Sequence, residues 1–207
     1  QTAPAPGITI RKQKMGVSGG EHVVIRFLRL KHGDIAGETS DGTGMQGSNN
    51  SIMDHLTVSW SIDEAFSSRS ANGITLQRTM LSEALNAADH KNYAPGSEHG
   101  YAASVSGDIG SFHHNLLAHC AGRNWSMAGG LDRAGAYAGR LDFTNNVVYN
   151  WRNRTTDGGA HEVNFVGNYY KGGPASELTV FLNPQHEKAG TGTQRYFMEG
   201  NILDMEP

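Results

Sequence analysis

Acidic residues cluster in the first third of the chain: Asp41 in "SDGTG", Asp54 in "MDH", and the pair Asp63–Glu64 in "SWSIDEAF". Carboxylates gathered on one surface, with no cysteine nearby, suit a hard cation such as calcium. Aspartates are equally at home as solvated turn residues. Asp54 precedes His55 and alternates differently from the others, which suits a structural hydrogen-bonding role. Two cations follow, Lys91 in "DHKN" and Arg123 in "AGRNW", each just beyond a strand-like segment. Such cations can grip or act on an anionic substrate, or serve as ordinary surface charges. The stretch "SFHHNLLAHCAGRNW" adds His113, His114 and His119. Zinc is a poor fit, because adjacent residues on a strand point to opposite faces and no HExxH helix accompanies them. The same alternation sends one of the pair toward the core beside Asn115 and leaves the other, His114, facing outward near the site. Trp125, close to Arg123, is the tryptophan best placed to stack on a sugar ring, although burial under a loop is the commoner fate of that residue.

Elements able to position these groups are visible as a repeat. "VVIRFLRL" (23–30), "SIMDHLTV" (51–58), "GITLQRTML" (73–81), "GSFHHNLLA" (110–118), "RLDFTNNVVY" (140–149), "EVNFVGNYY" (162–170) and "RYFMEGNIL" (195–203) share alternating apolar residues around a polar one. Asn115, Asn146, Asn168 and Asn201 occupy the same place in the last four. Period-2 alternation with Gly, Asn and Asp punctuation predicts short strands. Helix-like windows, near "SIDEAF" and "SEALNAADHK", are too short to stand alone. Without helical crossovers a doubly wound sheet is disfavoured, and the intervals suit the stacked turns of a parallel β-helix. Stacked at one bend, the asparagine amides can hydrogen-bond along the axis. A β-sandwich would require hairpin signals, of which "ANG" at 71–73 is the only good candidate.

Composition fits this reading. The chain has 207 residues, enough for one domain with a sizeable core, and its 27 glycines imply many tight turns. A net charge of −3 points away from nucleic acid and anionic membranes as partners. No apolar run approaches the ~20 residues of a membrane span. The single cysteine, Cys120, excludes an internal disulfide framework. "QTAPAPGITI" lacks a basic region followed by an apolar one, so no signal peptide is read in this chain.

"GITI", "VVIRFLRLKHGD", "NNSIMDHLTVSWSIDE", "HHNLLAHCAGRN", "LDFTNNVVYNW" and "VNFVGNYYKGGP" follow one another in an order that resembles the pectate lyases of polysaccharide lyase family 1. The "IMDH…SWSIDE" and "HHN…R" blocks are the specific ones. The resemblance implies a right-handed, single-stranded parallel β-helix over residues 1–207, with a bare first turn. It also implies a calcium-dependent eliminase acting on polygalacturonate. Asp41 and Asp63 match calcium ligands of the family. Ser67 stands where a further acid is expected, and Glu64 is the substitute. Arg123 matches the arginine that removes a proton, and Lys91 a substrate-binding lysine. The family's second arginine is absent from "RNWSMAGG", which leaves Arg133 or Arg140 to grip a substrate carboxylate. Secretion or a periplasmic location follows from a polymeric substrate. Two other readings share the strand pattern: a non-catalytic polysaccharide-binding β-helix, and a lyase for another acidic polysaccharide. Arg123→Ala is expected to abolish turnover and leave folding intact.

Overall fold

The computed structural model describes residues 5, 7–35, 37, 39–127, 138–185 and 192–206. They form 22 short strands and no helix, and every strand pairing is parallel. Successive strands join three sheets in strict rotation, so each turn of chain adds one strand to each sheet. The sheets hold eight, seven and seven strands. This is the parallel β-helix expected from the repeat. Met80, Leu116, Val147, Tyr169 and Ile202 lie in register along the first sheet, although the chain between neighbours varies greatly in length. Insertions go into the bends and leave the ladder undisturbed.

Alternation decides what fills the coil. Leu30, Val58, Leu81, Leu117, Val148 and Tyr170 form an inward row of the first sheet, and all are buried. Leu76, Phe112, Phe143 and Phe165 form an equivalent row of the third sheet. Phe112 and Phe143 stack there with ring centroids 5.2 Å apart. Stacking of like residues follows from parallel, in-register pairing, which places the same position of each turn above its predecessor.

The asparagines sit at the bend between the third and first sheets and form the expected ladder. Asn146 accepts hydrogen bonds at Oδ1 from the Asn115 backbone N–H (3.0 Å) and amide Nδ2 (3.1 Å). It donates through Nδ2 to the Phe112 carbonyl at 2.8 Å and to Asn168 Oδ1 at 3.0 Å. Asn168 and Asn201 repeat the pattern, and Thr79 N–H donates to Asn115 Oδ1 at the other end. At each step an amide satisfies backbone groups that the bend removes from the sheets. Replacing Asn146 with alanine strands the Asn115 N–H and the Phe112 carbonyl inside the coil. The expected cost is about 4 kcal/mol at 1–3 kcal/mol per orphaned group. That is a fall of roughly 10 °C in melting temperature for a chain of this size, read by a thermal melt.

The residue before each ladder position takes a left-handed conformation: His55, Arg78, His114 and Asn145, then Gly167 and Gly200. This corrects the expectation for the histidine pair. His114 (φ 56°) turns the bend instead of continuing the strand, so strict alternation ends at His113. Neither ring enters the core. The two lie outside, edge to face, with their Nδ1 atoms 3.0 Å apart. Asp54, one of the deepest carboxylates, is structural as anticipated. It accepts hydrogen bonds from Arg26 Nε (2.5 Å) and Gln77 Nε2 (2.9 Å), with His55 Nδ1 at 2.7 Å. Burial works against its charge, but these partners outweigh it and hold its pKa below the usual carboxylate value. Cys120 is likewise a core residue, its thiol pushed up to about 12 by complete burial.

Candidate active site

The bend by which the chain enters the second sheet carries a different set of residues. Backbone bonds between turns fix their order. Gly42 N–H donates to the Glu64 carbonyl (2.8 Å), Ala65 to Tyr101 (2.9 Å), Ala102 to Gly122 (3.0 Å) and Asn124 to Thr155 (3.1 Å). Asp41, the Asp63–Glu64 pair, Tyr101, Arg123 and Arg154 therefore arrive one turn after another along the axis. Adjacent strands lie about 4.8 Å apart, so side chains from neighbouring turns touch.

Contacts along this track are close. Ligand oxygens of Asp41, Asp63 and Glu64 all lie within 4.8 Å of one another. Lys14 Nζ donates to Asp41 Oδ2 at 3.1 Å, and the buried Ser67 hydroxyl donates to the same oxygen. Ser67 thus stands beside the acids, in support of Asp41. Glu64 accepts at Oε1 from Ser104 Oγ (2.5 Å) and pairs there with Arg123 Nη1. The Arg123 guanidinium lies 4.0 Å over the Tyr101 ring, and Arg154, one turn on, lies 5.5 Å from the same ring. Arg154 is half-buried and held by Asp157 through Nε (2.7 Å) and Nη2 (3.0 Å).

Charges divide unevenly among these groups. Burial raises the pKa of Asp63, and the neighbouring Glu64 carboxylate raises it further. Glu64 is buried too, but the Arg123 cation and the Ser104 hydroxyl overcome that burial and hold its pKa low. Burial opposes the Arg123 charge, and Glu64 more than offsets it, so the guanidinium stays protonated. Asp63 Oδ1 is buried and has no hydrogen-bond partner among the described residues. An oxygen-only donor set holding a bare buried carboxylate oxygen fits a hard divalent cation.

Other residues singled out from the sequence are distributed as follows. Lys91 is exposed on the loop between the strands Met80–Ser82 and Ala103–Val105, in a cleft with Asp34, Asp89, His90 and Tyr93. His114 belongs to the asparagine bend, where its partner is His113, and does not join the acids. Trp125 is fully buried against Phe112 and Phe143 and offers no face to a sugar. It begins the return into the coil, where aromatic volume is needed. Arg140 opens a strand of the third sheet and is paired with Asp108. Arg133 lies outside the described residues. Sequence reasoning missed Tyr101 and Arg154. Arg154 becomes visible only once Ser126 is aligned with Asp157, which sets it one turn from Arg123.

A parallel β-helix with carboxylates and guanidinium groups aligned on one outer bend is the architecture expected of the pectate lyases. Three fungal proteins named "Probable pectate lyase C" are similar to the chain. That of Aspergillus terreus is 30% identical over 87% of the chain, and that of Neosartorya fischeri 30% over 95%. That of Aspergillus flavus is 29% identical over the full chain. The chain is thus similar to pectate lyases over most of its own length. It spans 40–44% of the length of these relatives. No family model matches it.

Proposed function

We propose that the chain is the catalytic coil of a calcium-dependent pectate lyase that cleaves polygalacturonate by β-elimination. The observation that carries the reading is the convergence of Asp41, Asp63 and Glu64 on Arg123 at one bend. A purely polysaccharide-binding coil needs the strands and the asparagine ladder but not this arrangement. A hydrolase would need two carboxylates spaced around a water and the glycosidic oxygen, whereas here one acid is neutralised by an arginine.

Asp41, Asp63 and Glu64 are the residues that would hold the cation. Bound calcium would supply positive charge to the uronate carboxylate and so favour the anion formed when the C5 proton leaves. In the elimination the C5–H pair becomes the C4–C5 double bond, and the C4–O bond breaks with its electrons on the departing oxygen. Arg123 would lie at the reacting carbon. By the family resemblance it would be the proton acceptor. Its pairing with Glu64 favours a charged guanidinium that stabilises developing negative charge while a hydroxide ion takes the proton. Arg154, fixed by Asp157 and facing the same tyrosine, is a second guanidinium suited to a neighbouring carboxylate of the polymer. Lys91, on the overhanging loop, would bind a further carboxylate. A polymer too large to enter a cell implies that the enzyme works outside the cytoplasm, in the medium or the periplasm.

The test is ultraviolet absorbance of unsaturated product formed from polygalacturonate, with calcium and then with excess chelator. A rise that requires calcium is expected. No rise from folded protein in either condition would return the chain to a binding module or to a lyase for another acidic polysaccharide.

A further inference from the structure

The loop over the acids carries a histidine that the reaction does not require directly. His90 is 4% exposed at its side chain, and its Nε2 lies 3.6 Å from Asp63 Oδ2. Its other nitrogen, Nδ1, accepts the Asn92 backbone N–H at 3.1 Å. A nitrogen that accepts cannot carry the proton, so the proton is on Nε2 and the N–H end of the ring faces Asp63. At 3.6 Å this is a dipolar contact and not a full hydrogen bond.

Several contacts keep the ring there. It packs on Tyr93 (centroids 4.9 Å apart) and against His99 (5.6 Å), and Tyr93 stacks on His99 at 4.4 Å. His99 is buried and anchored by Nδ1 to the Ser97 carbonyl (2.8 Å) and by its backbone N–H to the Asn86 carbonyl (2.9 Å). The loop is tied to the coil in turn by Leu85 N–H to the Ser61 carbonyl, 2.8 Å. Asp63 therefore has two unlike oxygens. Oδ2 faces a fixed N–H, while Oδ1 is buried with no hydrogen-bond partner among the described residues.

We propose that His90 is a positioning residue for the cation centre: its Nε2–H orients the Asp63 carboxylate so that Oδ1 is presented to a bound divalent cation. The inference rests on the reading of Asp41, Asp63 and Glu64 as the cation ligands. Neighbours that orient a ligand in this way typically change metal affinity by about 10- to 100-fold when removed.

Calcium affinity, measured by titration calorimetry on the whole chain, tests it without reference to turnover. His90→Phe keeps a ring to stack on Tyr93 and His99 but has no N–H. It is expected to weaken calcium binding about tenfold with an unchanged melting temperature. His90→Gln restores an N–H near the Nε2 position and is expected to stay within about threefold of wild type. Where His90→Phe is too unstable to titrate, His90→Ala takes its place in the comparison with His90→Gln. Wild-type affinity in the variant without a donor, or equal losses in both variants, would overturn the proposal and leave the calcium reading intact. A wild-type chain that binds no calcium would overturn both.

Discussion

Arg123→Ala is expected to lower formation of unsaturated product by at least about 100-fold, the scale of losing one charged group at a developing anion. The variant is also expected to be less stable, which the sequence alone did not suggest. Glu64 is 3% exposed and its charge is held by Arg123 and the Ser104 hydroxyl. Removing the guanidinium leaves a buried carboxylate without its counter-charge, a loss of about 3–5 kcal/mol. Thermal melts in chelator should show a fall of roughly 10 °C. The double variant Arg123→Ala/Glu64→Gln separates the two effects. It should recover most of the stability and none of the turnover. Recovery of turnover would mean that Arg123 serves only to neutralise Glu64.

Asp63→Asn is expected to act with opposite signs on function and stability. Calcium-dependent turnover should fall by at least about 100-fold, because the variant lacks the carboxylate with the free buried oxygen. Without calcium the variant should be more stable than wild type near pH 8. Burial beside Glu64 pushes the Asp63 pKa up to about 8. Its unfolded value is about 3.9. A carboxyl whose folded pKa is raised holds its proton more tightly in the folded state. Its contribution is therefore fully present below about pH 4 and is lost as pH rises toward 8. Wild-type melting temperature in chelator should decline across that window, and Asp63→Asn should remove most of the decline. The gain at pH 8 is expected to be roughly 5 °C. A wild-type melting temperature that climbs steadily from pH 5 to 8 in chelator would mean that Asp63 is not held protonated.

These effects arise from residues that the sequence exposes to very different degrees. Asp41, Asp63, Glu64 and Arg123 are found from motif blocks that survive in order, and the fold brings them to one bend. Tyr101, Arg154 and His90 leave no comparable trace. Each sits on a bend or loop whose length differs from its neighbours, so spacing along the chain does not report spacing along the axis. Arg154 lies beyond the residues 128–137, and its place beside Arg123 depends on the pairing of Ser126 with Asp157. Trp125 and His114 failed for a related reason. Alternation assigns a face only while the backbone stays extended, and His114 lies at a left-handed bend. Trp125 lies just where the chain turns back into the coil, and its large apolar ring follows the core.

The coil and its asparagine ladder are thus properties of the sequence itself. Alternating apolar residues and a recurring amide act within each turn, and every turn repeats the same local solution. The site is a property of the tertiary structure. Lys14, Asp41, the Asp63–Glu64 pair, a tyrosine, two arginines and a histidine come from separate turns and loops. Only the parallel register, which stacks bend upon bend whatever lies between, brings them within contact of one another.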